Sequence, residues 1–93
     1  MELNLQEIRE NLDDIDSRII ELFSRRMRLV KDVAAYKKAH GLPILDAGRE
    51  EKILDRLSEK AGDELAPYAR RVYETMFAVS REYQAERLKD GEQ

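Results

Sequence analysis

The sequence contains no cysteine and only one histidine, and these absences remove several kinds of catalytic chemistry. Without cysteine the chain cannot form disulfides or use a thiolate, and a reducing compartment is its natural setting. His40 lies in a predicted turn, where we expect it to be solvated, and no HExxH or other metal-ligand spacing is present. A glycine-rich phosphate loop is also missing. The sequence therefore offers few residues suited to acid-base, nucleophilic or metal catalysis.

Glycine and proline are scarce, with four and two residues, while 40% of the chain is charged and 42% is hydrophobic. This balance is typical of an amphipathic helical protein, and 93 residues suffice for one domain, expected over 1–93. The net charge of -3 argues against broad nucleic-acid binding. No apolar run is long enough for a membrane span and no secretory signal is evident, so we expect a cytoplasmic protein.

Capping and breaking residues divide the chain into three predicted helices, at about 4–39, 46–61 and 64–88, followed by a frayed C-terminal tail. Asn4 is a good N-cap for the first helix, which should continue until the turn around Pro43. Asp46 can cap the second helix, and Gly62 should end it. Pro67 fits the first turn of the third helix, where its missing N–H costs nothing. The predicted fold class is all-α.

The first predicted helix carries an apolar seam that one charge interrupts. The seam, with steps of three and four residues, comprises Leu5, Ile8, Leu12, Ile15, Ile19, Leu22, Leu29, Val33 and Tyr36. Arg26 occupies the position between Leu22 and Leu29, and a buried arginine cannot lose its charge. It requires either a structural salt bridge or exposure to water, or else an anionic ligand bound between helices.

The length of this helix predicts a homodimer. A helix of 35 residues extends roughly 50 Å, whereas a compact domain of this size has a radius of gyration near 12 Å. A second copy of the helix would cover the part of the first helix that the rest of the chain is too short to cover. A kinked or broken helix would instead permit a compact three-helix monomer.

Several polar residues can gather around Arg26. Lys37 lies three turns further along the same helix face, whereas Arg9 is about 42 Å from Lys37 and could share a pocket only from another chain. Ser80 and Gln84 are neighbours on the third helix. The start of the second helix, which itself favours anions, adds three further polar side chains, those of Asp46, Arg49 and Glu50.

Taken in order, these residues resemble the all-helical, AroQ-type chorismate mutases. The resemblance covers the chain from about Leu5 to Gln84 and rests on Ile8-Arg9-Glu10, Leu12, Ile15-Asp16, Leu22, Ser24-Arg25-Arg26, Val33, Lys37, Pro43, Asp46-Ala47-Gly48-Arg49-Glu50 and Ser80-Arg81-Glu82-Tyr83-Gln84. It implies an intertwined helical homodimer and an isomerase that rearranges chorismate to prephenate in phenylalanine and tyrosine biosynthesis. The reaction is an intramolecular Claisen step that needs neither a cofactor nor a covalent intermediate.

The resemblance also implies a role for each site residue. Arg26, and Arg9 from the other chain, would bind the two carboxylates of chorismate, with Ser80 assisting. Lys37 and Gln84 would hydrogen-bond the ether oxygen, where negative charge develops. The ring hydroxyl would be held by Glu50, with Asp46 and Arg49 supporting it. Because Gln84 is a donor at neutral pH, we expect no loss of activity from this position as pH rises from acidic to neutral.

Two alternatives remain open. An isochorismate pyruvate lyase shares the scaffold and a similar basic pocket, and the residue list does not exclude it cleanly. The other alternative is a non-catalytic helical dimerisation or regulatory module, in which Arg26 and Lys37 would pair with carboxylates of a partner chain.

Overall fold

The computed structural model describes residues 4–91, with side chains described for 4–89, and all regular structure in that part is helical. The element α1 comprises Leu5–Ala39, α2 comprises Ala47–Ala61 and α3 comprises Ala66–Gly91. The predicted all-α class and the three-helix order are confirmed.

The ends of the helices follow the capping chemistry of the sequence. The Asn4 side chain accepts hydrogen bonds from the backbone N–H groups of Gln6 and Glu7, at 2.9 and 3.3 Å. Gly62 ends α2 with a φ of 86°, a conformation that side chains with a Cβ rarely adopt. The first helical residue of α3 is Ala66 rather than 64, and α3 continues to Gly91 instead of ending near 88. The last two residues of the predicted frayed tail, 92–93, lie outside the described residues.

The described chain is elongated, with principal extents of 58 × 29 × 14 Å and a radius of gyration of 17.0 Å. The helix α3 packs against both α1 and α2. Few side chains are buried as a result: the hydrophobic ones are Ala34, Leu54 and Phe77. A radius this far above the roughly 12 Å of a compact domain shows that α1 is not folded back into a globule.

The α1 seam is uncovered along its whole length. Its nine members, Leu5 to Tyr36, are 38% to 65% exposed within the single chain. An exposed apolar seam of this length is unusual for a monomeric protein.

The buried stripe of α3 is partly polar. Phe77, Ser80 and Gln84 are buried, whereas Val72 and Val79, on the neighbouring apolar stripe, are exposed. Ser80 accepts a hydrogen bond from Arg26 of α1, which offsets part of the cost of burying this polar stripe.

An arginine joins α2 to α3 at the end remote from Ser80. Arg70 donates to the carboxylates of Glu51 and Asp55, at 3.1 and 3.3 Å, and to the Ser58 hydroxyl, at 3.2 Å. The hydrogen bond with Glu51, followed by that with Asp55, raises the pKa of Arg70 above its ordinary value. Within the described part of the chain, none of the helices combines the length and apolarity needed to cross a membrane.

Candidate active site

A cavity of about 190 Å³ lies where the second half of α1, the start of α2 and the second half of α3 meet. Seven of the eight predicted site residues line it, namely Arg26, Lys37, Asp46, Arg49, Glu50, Ser80 and Gln84. The rest of the lining is largely apolar and comprises Val30, Val33, Ile44, Ile53 and Phe77, together with Arg81. We call this space the polar cavity. It places the predicted residues together around one small volume.

Arg26 is held in the polar cavity by uncharged groups. Its Nη1 donates to the Ser80 hydroxyl at 2.8 Å, and its guanidinium carbon lies 5.8 Å from the centre of the Phe77 ring. Among the described residues, no carboxylate lies within salt-bridge distance of Arg26. The structural salt bridge considered for Arg26 is therefore not formed within the described chain, and the guanidinium keeps donors for an anion.

Lys37 is fixed by the loop that follows α1. Its Nζ donates to the backbone carbonyl of Ile44 at 2.6 Å, which holds the half-buried side chain against the cavity wall. An ammonium group has three protons, so two remain for other acceptors. A cation held in this way can meet an oxygen atom of a bound molecule without a large loss of side-chain entropy.

Asp46 acts locally, as the N-cap of α2 that the sequence predicted. Its Oδ1 accepts from the backbone N–H of Arg49 at 3.0 Å, and its carbonyl accepts from the N–H of Glu50 at 3.0 Å. These contacts fix the first turn of α2 and direct the half-buried Glu50 to the polar cavity. The Arg49 side chain lines the cavity from an exposed position.

Ser80 and Gln84 supply neutral polar groups from α3. They are only 5% and 6% exposed, and Ser80 accepts the hydrogen bond from Arg26. The Oε1 atom of Gln84 is buried and has no hydrogen-bond partner among the described residues. Buried amide oxygens are normally paired, so this oxygen can accept a hydrogen bond from a molecule in the cavity, whereas only the Nε2 group of the same side chain can donate one.

Arg9 is the one predicted site residue that the fold places elsewhere. It is exposed in the second turn of α1, twenty-eight residues before Lys37 on one continuous helix. At 1.5 Å per residue this is roughly 42 Å, far beyond the reach of a side chain. Within one chain, Arg9 therefore takes no part in the polar cavity.

Arg81 was not assigned to the site from the sequence, yet it lines the polar cavity. Its Nη1 lies 2.6 Å from each carboxylate oxygen of Glu50, and the two residues are separated by 31 positions in sequence. The only signal in the sequence was its position next to Ser80 on the third helix. A charge in that place is ordinarily solvated, and the contact depends on how α3 crosses α2.

The charges of the polar cavity favour a small anion with two negative groups. Four cationic side chains (Arg26, Lys37, Arg49 and Arg81) and two carboxylates (Asp46 and Glu50) line it, which leaves two positive charges in excess. Across the described residues, no group of three or more histidine, cysteine or acidic side chains is arranged to hold a metal ion. Positioned cations and neutral donors can bind an anion, restrain its conformation and stabilise charge that develops during a reaction.

Comparison with known proteins gives consistent matches. The family model described as chorismate mutase type II matches residues 8–85. A chorismate mutase of Methanocaldococcus jannaschii is 47% identical over 53 residues, which are 57% of this chain and 54% of that protein. A 4-amino-4-deoxychorismate mutase of Streptomyces venezuelae is 36% identical over 59 residues, which are 63% of this chain and 57% of that protein.

A further match is a Haemophilus influenzae protein named T-protein, 43% identical over 61 residues that are 62% of this chain and 16% of that protein. The aligned part therefore spans just over half the length of the first two relatives and much less of the third.

Proposed function

Because this chain belongs to the chorismate mutase type II family, we propose that it rearranges chorismate to prephenate, an isomerase step toward phenylalanine and tyrosine. The reaction breaks the ether C–O bond of chorismate and forms a C–C bond within the same molecule, so no atom enters or leaves. Such a step requires a folded substrate conformer and stabilisation of charge rather than a nucleophile or base.

The observation that carries the proposal is the excess of two positive charges in the polar cavity, because chorismate is a dianion. Arg26 is the central group, since its partners within the described chain are a hydroxyl and an aromatic ring. A guanidinium presents rigid paired donors that fit a carboxylate, and Ser80 orients them. Binding both carboxylates fixes the folded conformer before reaction, which supplies the entropic part of catalysis.

Lys37 and Gln84 are the donors we assign to the ether oxygen. Both line the same cavity, one from α1 and one from α3, so they can reach a bound molecule from different sides. As the C–O bond breaks, negative charge grows on that oxygen, and hydrogen bonds to it strengthen in the transition state. Interactions of this kind raise turnover rather than binding alone.

Glu50 is the acceptor we assign to the ring hydroxyl. Asp46 supports it by capping α2, and Arg49 contributes from the same turn. A carboxylate has about four lone-pair positions, so Glu50 can accept from a hydroxyl while it remains bonded to Arg81.

A homodimer is part of the proposal. Two features of α1 support it, namely the exposed apolar seam and the distribution of charge along the helix. The first half of the helix, 5–22, holds six acidic residues and two basic ones, whereas 23–39 holds six basic residues and one acidic. Two copies packed antiparallel would place each acidic half against a basic half, whereas parallel packing would oppose like charges. Burying the seam removes its apolar surface from water, which is the main driving force of association.

The antiparallel arrangement also brings Arg9 to the site. In the proposed pair, the two-fold axis passes Leu22, the midpoint of α1, which places Arg9 of the partner subunit opposite Ala35. Ala35 is two residues before Lys37, which lines the polar cavity. Arg9 would therefore act in trans, completing the binding of the second carboxylate.

Loss of chorismate absorbance, with prephenate identified as the product, tests the proposed reaction directly. Arg26→Ala should lower kcat/KM at least roughly thirtyfold, because a charge-assisted contact worth about 2 kcal/mol or more is removed. Arg25→Ala is the matched control, since Arg25 is exposed and does not line the cavity. No turnover by folded wild-type protein would overturn the proposal, and pyruvate release from isochorismate would favour the lyase.

A further inference from the structure

The carboxylate of Glu50 does not face the polar cavity as a free negative charge. Arg81 lies 2.6 Å from both of its oxygens, and the two side chains are only 34% and 23% exposed. Arg26 and Lys37 contact uncharged groups instead. Of these three cavity cations, Arg81 is the one whose charge is neutralised within the chain. It therefore adds little to anion binding and acts chiefly on Glu50.

This pairing determines which ring substituent Glu50 can accept. A neutral hydroxyl needs one lone pair, which a carboxylate bonded to a single guanidinium nitrogen still has. A protonated amine at the same ring position would bring a full positive charge to within a few ångströms of the Arg81 guanidinium. Two like charges at such a short distance in a partly buried site repel each other strongly.

We propose that Arg81 is a specificity-determining residue that makes the polar cavity select a hydroxyl over an ammonium group at the ring position held by Glu50. Arg81 is a positioning residue in this role, since it acts through Glu50. The inference rests on the proposed mutase reaction and adds the discrimination between chorismate and its 4-amino analogue. The name of the Streptomyces venezuelae relative denotes a mutase of that analogue.

The test compares kcat/KM for chorismate and for 4-amino-4-deoxychorismate in wild type and variants. Wild type should prefer chorismate. Arg81→Gln should shift the ratio toward the amino substrate by about tenfold or more, because an unpaired Glu50 attracts the ammonium. Arg81→Lys keeps the charge and should keep the wild-type preference.

Arg70→Gln is a matched control, because Arg70 also joins α2 to α3 and is similarly exposed, at 33%, but does not line the cavity. It should lower the melting temperature and leave the substrate ratio unchanged. Glu50→Gln gives an independent check if Arg81→Gln folds poorly. It leaves Arg81 uncompensated, so the ratio should move further toward chorismate.

The outcomes separate this inference from the proposed function. If the substrate ratio stays at the wild-type value in both Arg81→Gln and Glu50→Gln, Arg81 only joins α3 to α2 and does not determine specificity. The proposed turnover of chorismate would be unaffected by that result. Wild-type protein that does not convert chorismate would overturn the mutase proposal and the selectivity with it.

Discussion

The contribution of Arg9 from a second chain can be tested with two heterodimers. Both contain the substitutions Arg9→Ala and Arg26→Ala, but the two substitutions are distributed differently between the subunits. In one heterodimer, one subunit carries Arg9→Ala and the other carries Arg26→Ala. In the second heterodimer, one subunit is wild type and the other carries both changes. Each is made by co-expression with two affinity tags and purified through both.

The proposed dimer predicts what each heterodimer should do. Arg26 lies in the cavity of its own chain. Arg9 is roughly 42 Å from Lys37 on the same helix, so in the proposed dimer it would serve the cavity of the other subunit. The first heterodimer then has one site with both arginines and should show about one half of wild-type turnover per dimer. The second has no complete site and should be almost inactive.

The two arrangements exchange their outcomes if Arg9 acts within its own chain. The first heterodimer would then be inactive, and the second would keep about one half of the activity. Turnover of chorismate by purified heterodimer is the assay, with both parent homodimers as references. Full activity of the Arg9→Ala homodimer would refute a role for Arg9 in either arrangement.

Three further predictions concern the cavity and the seam. Gln84→Glu should make kcat/KM fall as pH rises toward neutral, because a carboxyl group at this buried position donates only when protonated. The wild-type pH profile should show no such fall. Parallel pH profiles of the variant and the wild type would contradict the role of Gln84. Ser80→Ala should lower kcat/KM about tenfold, since it leaves a donor of Arg26 unpaired at a cost of about 1–3 kcal/mol; unchanged kinetics would show that Ser80 does not orient Arg26. Leu22→Glu should abolish the dimer in sedimentation experiments, because two glutamates would meet near the symmetry axis; a stable dimer would exclude the α1 seam as the interface.

Local chemistry in the sequence was enough to predict the helices and much of the cavity. Asn4, Asp46 and Gly62 mark helix ends because caps depend on residues a few positions apart. Arg26 was identifiable as a candidate site residue, because a charge on an apolar helical seam conflicts with burial. Both features are properties of a single helix, which a periodic pattern describes well.

Contacts between helices were harder to predict. The pairing of Arg81 with Glu50 depends on the rotation of α3 against α2, and a few degrees decide whether a long side chain reaches its partner or water. The same rotation decides which of the two stripes on α3 is buried. The more apolar stripe, which contains Val72 and Val79, is left exposed in the single chain.

The exposed stripe and the polar cavity have a common physical cause. A chain of this length has too little apolar surface to cover a 35-residue helix by itself, and α3 uses its polar stripe to hold Arg26 instead of burying Val72 and Val79. Placing a half-buried guanidinium against a hydroxyl and an aromatic ring costs stability, because no carboxylate of the described chain compensates its charge. In the proposed function, that uncompensated charge is available to bind a carboxylate. In the proposed dimer, burial of the uncovered apolar seam of α1 would recover the stability that is lost at the site.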